Sequence, residues 1–160
     1  MDIPGRLLSA ESVRRFALAG KATLTIRSAK TGTRYTFKIR KPDEDEDRPQ
    51  RAPVFFVSVM FGADNENSFV YLGLIRSTPA GERYEHGRKS KVAEGDTRDR
   101  AFAYLWAHVV ANRLPDNLEV WHEGRCGRCG RTLTVPESIA SGFGPECVQH
   151  VGLGFRAEAA

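Results

Sequence analysis

The clearest pattern in the chain is an alternation. From Arg34 to Arg40, Tyr35, Phe37 and Ile39 take one side while Arg34, Thr36, Lys38 and Arg40 take the other, the period of a half-buried strand. Residues 22–28 repeat it, with Leu24 and Ile26 opposed to Thr23, Thr25 and Arg27. The two runs flank Ala29-Lys30-Thr31-Gly32. They predict a hairpin over 22–40 with an apolar face toward a core and a basic face toward solvent. Upstream, Ser9 caps a predicted helix that runs to about Leu18, with Glu11 in its first turn and Gly20 as its stop.

Two later runs, 53–61 and 68–76, are apolar on both sides, which predicts central strands covered on both faces. Between them Gly62-Ala63-Asp64-Asn65-Glu66-Asn67 has the chemistry of a hairpin tip; it lacks the spacing of a calcium loop. Residues 77–95 read as a polar loop with a short strand near Arg83–His86. The period then becomes helical over 97–113. Phe102, Leu105, Trp106, Val109 and Val110 share a face, and Pro115 ends the helix. The expected fold is α+β: an antiparallel sheet of four or five strands, one long packing helix, a short N-terminal helix and a C-terminal treble-clef-like zinc motif. The expected organisation is an α+β domain over 1–118, a zinc-binding motif over 119–154 and a tail over 155–160.

Composition narrows the class. A chain of 160 residues, 41% hydrophobic and 28% charged, folds as a globular unit and is not a disordered chain. No apolar run nears the roughly 20 residues of a membrane helix, so no membrane partner is expected. The start, Met1-Asp2-Ile3-Pro4-Gly5-Arg6, lacks the apolar core of a signal peptide, which predicts a cytoplasmic protein. The net charge of +4 conceals an uneven spread. Residues 1–41 hold ten Lys and Arg against two Asp and Glu, and residues 42–76 hold three against seven. The latter include the acidic run Asp43–Asp47 between Pro42 and Pro49, which predicts a solvated loop over 42–50. A sharper reading makes it a flap that competes with nucleic acid for the basic strands.

The candidate chemistry lies further on. Cys126, Cys129 and Cys147 fall in one 22-residue window. An odd count in a cytosolic chain argues against a disulfide framework, and the clustering argues for a metal. With His150 the spacing is C-x2-C-x17-C-x2-H. The glycines after Cys126 and Cys129 suit a tight knuckle. Gly144-Pro145 suits a helix start, with Cys147 in the first turn and His150 on its face. The expected cofactor is Zn²⁺ held by Cys126, Cys129, Cys147 and His150. His122, four residues before Cys126, is the alternative fourth ligand. A closed Cys3His set makes a structural zinc the default. No catalytic residue is assigned, although Glu123 or Glu146 would be the base of a metal-dependent hydrolase. The chain has no P-loop, no nucleophile elbow and no dinucleotide fingerprint.

The string from Trp121 to Arg131, continued by Leu133-Thr134, Pro136-Glu137-Ser138-Ile139 and Gly142-Phe143-Gly144-Pro145-Glu146-Cys147, resembles a small zinc-motif domain family of unknown function found in phage and plasmid genes. The resemblance is specific over about 119–148. It extends more loosely to the basic hairpin, to Phe56-Val57-Ser58-Val59 and to Tyr71-Leu72-Gly73. It implies an accessory protein of mobile elements with a bound zinc, and it favours the histidine just ahead of the first cysteine, His122, as a ligand.

Together these readings predict a non-catalytic, zinc-binding accessory protein of phage or plasmid type. It would bind nucleic acid through Arg27, Arg34, Lys38 and Arg40 on the hairpin and through Arg125, Arg128 and Arg131 on the knuckle. A merely solvated basic face is the plain alternative. The second reading is a protein-interaction module, such as an inhibitor of a host factor, built on the zinc scaffold.

Overall fold

In a computed structural model, which describes residues 5–42, 54–60, 69–79, 81–122, 124–131, 133, 141–144 and 147–150, the Ser9 side chain accepts the Ser12 N–H. Helix α1 (Ala10–Ala17) starts from this cap and buries Val13, Phe16 and Ala17. Strands β2 (Lys21–Ser28) and β3 (Arg34–Arg40) then form the predicted hairpin, with Leu24 opposite Phe37 and Ala22 opposite Ile39. The meander continues through β4 (Val54–Met60), β5 (Phe69–Thr78) and β6 (Gly81–His86). Helix α2 (Thr97–Val110) starts from the Asp96 carboxylate, which accepts the Arg98 N–H at 2.9 Å. It ends earlier than the periodicity suggested, because Asn112 turns to a positive φ of 59°. The chain then returns across the sheet as β7 (Leu118–His122), between β2 and the short β1 (Arg6–Leu7).

Among the described residues the result is one antiparallel sheet in the order β1-β7-β2-β3-β4-β5-β6, with two α-helices and a C-terminal cysteine cluster. It is wider than the expected four or five strands. Strand β1, two residues long, is too short to show a period, and the pairing partners of β7 are remote in sequence. The polar stretch read as a loop at 77–95 contributes the end of β5 and all of β6. The acidic run 43–47, the turn 62–67 and the tail 155–160 lie outside the described residues.

The helices pack on one face only. Phe37 of β3 meets Phe102 of α2 at 4.9 Å between ring centroids. Phe102 also contacts Tyr84 at 4.8 Å and stacks on Trp106 at 6.0 Å. Polar groups drawn into this core are satisfied, as burial requires. Trp106 Nε1 donates to the Glu82 carbonyl at 3.2 Å. The buried Asp99 carboxylate accepts from the Tyr84 hydroxyl at 2.7 Å and from the Gly95 N–H at 2.8 Å. Burial, and then this bond to Asp99, push the Tyr84 phenol far above its usual range.

The opposite face corrects one expectation. Strands β4 and β5 were read as covered on both sides, yet no helix or strand among the described residues lies across their second face. Phe56 is 42% exposed there. The register continues this open face from Lys21, Thr23 and Thr25 through Arg40, Lys38 and Thr36 to Phe56 and Ser58, and on to Tyr71.

Candidate metal centre and the basic face beside it

Strand β7 carries the chain directly into the cysteine segment. Gly124, at φ 80°, turns it. Leu133 N–H then bonds back to the Gly124 carbonyl and Cys126 N–H to the Arg131 carbonyl, both at 2.8 Å. Cys126 and Cys129 therefore sit on a tight turn at the tip of a small hairpin. Gly130 N–H closes that turn onto the Cys126 carbonyl at 2.8 Å, with Gly130 at φ 81°. Cys147 comes from the following segment. The expected α-helix start there is a single 3-10 turn, Cys147–His150, preceded by a bond from Val148 N–H to the Gly144 carbonyl at 3.0 Å.

These pieces bring the three sulfurs within 4.8 Å of one another. Thiolates bound tetrahedrally at about 2.3 Å from a zinc ion lie about 3.8 Å apart, so the cluster can hold a metal ion after a small contraction. Two of the three thiols are perturbed in opposite directions. Burial pushes the Cys126 thiol up, but the N–H groups of Gly144, Cys129 and Arg128 more than offset this and bring it down to about 7. Arg128 N–H lies 3.4 Å from Cys126 Sγ, and the Arg128 guanidinium lies 3.4 Å from Cys147 Sγ. Burial pushes the Cys147 thiol up, with the Arg128 guanidinium opposing it.

The cluster is welded to the core through Phe16. A Cβ on Gly127 would stand 2.7 Å from the Phe16 ring, and so would a Cβ on Gly142. The knuckle can approach α1 this closely only because both positions lack a side chain. The Phe16 ring also packs against Phe143 at 5.8 Å and His122 at 5.5 Å. Cys126, Leu133, Phe143 and Cys147 thus belong to the same apolar cluster as the sheet and helices.

The candidate ligands separate accordingly. His122 is not a member of the three-sulfur group; it is buried, and its Nδ1 accepts the Gly124 N–H at 2.9 Å. The His150 side chain lies outside the described residues, as do Glu123 and Glu146.

The candidate basic residues separate too. Arg27 is engaged with Glu119 across the β2–β7 pair, at 3.2 Å and 3.3 Å. Arg40 is half-buried, and its guanidinium donates to the Ala22 and Ile39 carbonyls and to Thr23 Oγ1, so it does not simply point into solvent. Arg128 is turned toward the cysteines, and Arg131 is exposed. Arg34, Lys38, Arg40 and Arg125 come together in one groove with Lys21 and with Arg98, which pairs with Asp96 at 3.2 Å, and no carboxylate is among its described lining residues. Sequence reading missed Lys21 and Arg98. Lys21 continues the Thr23–Thr25 alternation by one residue and was recoverable. Arg98 arrives from α2 and was not.

A model described as a family of unknown function (DUF6011) matches residues 117–152. That span holds β7, the knuckle, all three cysteines and both candidate histidines. No curated protein and no solved structure matches the chain. No helix among the described residues is long and apolar enough to cross a membrane.

Proposed function

We propose that the protein binds nucleic acid without catalysis, on a surface whose C-terminal part is fixed by one structural Zn²⁺. One observation carries the reading: a groove lined by Lys21, Arg34, Lys38, Arg40, Arg98 and Arg125, with no carboxylate among its described lining residues. Such a surface displaces the cations condensed on a polyanion when it neutralises the phosphates, which drives binding. Residues 125 and 130 contribute to the groove, and Lys21 N–H bonds to the Gly127 carbonyl at 2.8 Å. The metal-bearing knuckle and the basic strands are therefore one surface. Zinc, where bound, cross-links the knuckle to the segment of Cys147, adding to the Gly127 N–H bond to the Gly142 carbonyl at 2.9 Å. Cys126, Cys129 and Cys147 would hold it with His150 as the fourth ligand, in a treble-clef-like arrangement, while His122 serves as a packing residue beside Phe16. Three reduced thiols suit a cytoplasmic setting.

The test is salt dependence. Fluorescence titration of labelled DNA at several salt concentrations gives a log–log slope. Arg34→Glu and Lys38→Glu should each reduce it by about 0.7 to 0.9 unit and weaken binding, with little change in the melting curve. Arg40 is unsuited to this test because of its bonds to backbone carbonyls. A slope that stays unchanged in both variants, or no binding at low salt, would sink the reading. The protein-interaction reading would then take its place.

A further inference from the structure

The open face carries more than charge. In the register, Arg40 stands opposite Phe56, and Lys38 stands opposite Ser58, which in turn stands opposite Tyr71. Phe56 and Tyr71 meet edge to face at 6.2 Å, and Arg88 and Lys89 line a shallow depression with them. One strand end away, Lys38 Nζ sits 4.1 Å over the Phe69 ring. The aromatic rings are thus flanked by cations from both sides: the groove residues of β2 and β3 on one, Arg88 and Lys89 on the other.

Charge alone would serve any nucleic acid, but exposed rings serve only unstacked bases. In a duplex the base faces are buried in the stack and unavailable to a side chain on a sheet surface. In a single strand every base offers a π face, and a positively charged groove can track the backbone beside it. The four strands β2 to β5 span about 14 Å at the usual strand spacing, and four-stranded sheets in RNA-binding modules stack two or three bases on a surface of this kind. We infer that the open face of the sheet is a binding site for single-stranded nucleic acid, with Phe56 stacking on a base, the partly exposed Tyr71 edge beside it, and Lys38, Arg88 and Lys89 facing the phosphates. This rests on the nucleic-acid reading above and specifies its ligand.

The experiment compares two probes on the intact, zinc-loaded chain: a labelled 12-nucleotide oligo(dT) and a labelled 12-base-pair duplex, at one low salt concentration. The single strand should bind at least tenfold more tightly. Phe56→Ala should weaken oligo(dT) binding by about 5- to 150-fold while leaving duplex binding and the salt slope unchanged. Phe56→Trp should restore it. Because Phe56 is 42% exposed and lies outside the main apolar cluster, the melting curve of both variants should stay close to that of the parent. As a readout that needs no variant, oligonucleotides carrying 5-bromodeoxyuridine should photocrosslink to the peptides containing Phe56 or Tyr71. Equal affinity for the two probes, with Phe56→Ala neutral, overturns the stacking site and leaves the phosphate-binding reading standing. If neither probe binds, both readings are overturned.

Discussion

Replacing Cys126 by serine should strip the metal from the protein and unfold at least its C-terminal segment. Cys126 is fully buried, belongs to the main apolar cluster and is approached by the backbone N–H of Arg128. Its sulfur is one of three that lie within 4.8 Å of one another. The apparent free energy of structural zinc binding in small motifs is about 10–16 kcal/mol, as large as the whole net stability of a domain, about 5–15 kcal/mol. Loss of one ligand is therefore decisive, because in such sites metal binding is folding free energy. Metal analysis of protein purified without chelator should give one zinc per chain for the parent and none for Cys126→Ser. The variant should melt earlier and over a broader range, and a chelator should bring the parent to the same state. A metal-free parent with an unaltered melting curve would end the zinc reading.

The second large effect should come from Phe16→Ala. Phe16 is fully buried and touches Gly127, Gly142, His122 and Phe143 at once. Deleting a buried Phe side chain costs about 3–5 kcal/mol. For a chain of this size that lowers Tm by about 6–20 °C. The cavity would open beneath the knuckle itself, so zinc affinity should fall in the same variant even though Phe16 is no ligand. A competition assay with a colorimetric chelator measures that fall. A Phe16→Ala protein with a lowered Tm but parental zinc affinity would show that the knuckle stands independently of α1. Gly127→Ala tests the same contact from the other side, since its Cβ would stand 2.7 Å from the Phe16 ring.

The features legible in the sequence are those written in local periods. The β2–β3 hairpin, α1 with its Ser9 cap, the start of α2 and the clustering of the cysteines all come from residues close together in the chain. What escaped depends on partners far away. Arg27 looked like a free cation because Glu119, its partner, is 92 residues distant. The apolar character of β4 and β5 suggested cover on both faces, yet no helix or strand among the described residues covers the face that carries Phe56 and Tyr71. Periodicity reports which side chains alternate; it does not report how many layers of structure exist to receive them. The two glycines of the knuckle were read as freedom for a turn. For Gly127 the structural reason is different: its φ is ordinary, and the position is kept bare by the neighbouring Phe16 ring.

The return of the chain through α2 also sets an order of assembly. Strands β2 to β6 pair with sequence neighbours, so they can form early, whereas β7 (Leu118–His122) reaches its place only after roughly three quarters of the 160-residue chain has been made. Such non-local pairings are the slow steps of folding. Until β7 arrives, β2 presents an unpaired row of N–H and C=O groups, a template for another copy of the same strand. The arrival of β7 closes that edge and, within the next few residues, delivers Cys126 and Cys129. Metal capture would then act as a latch on the last strand, holding shut the edge through which newly made chains would otherwise aggregate.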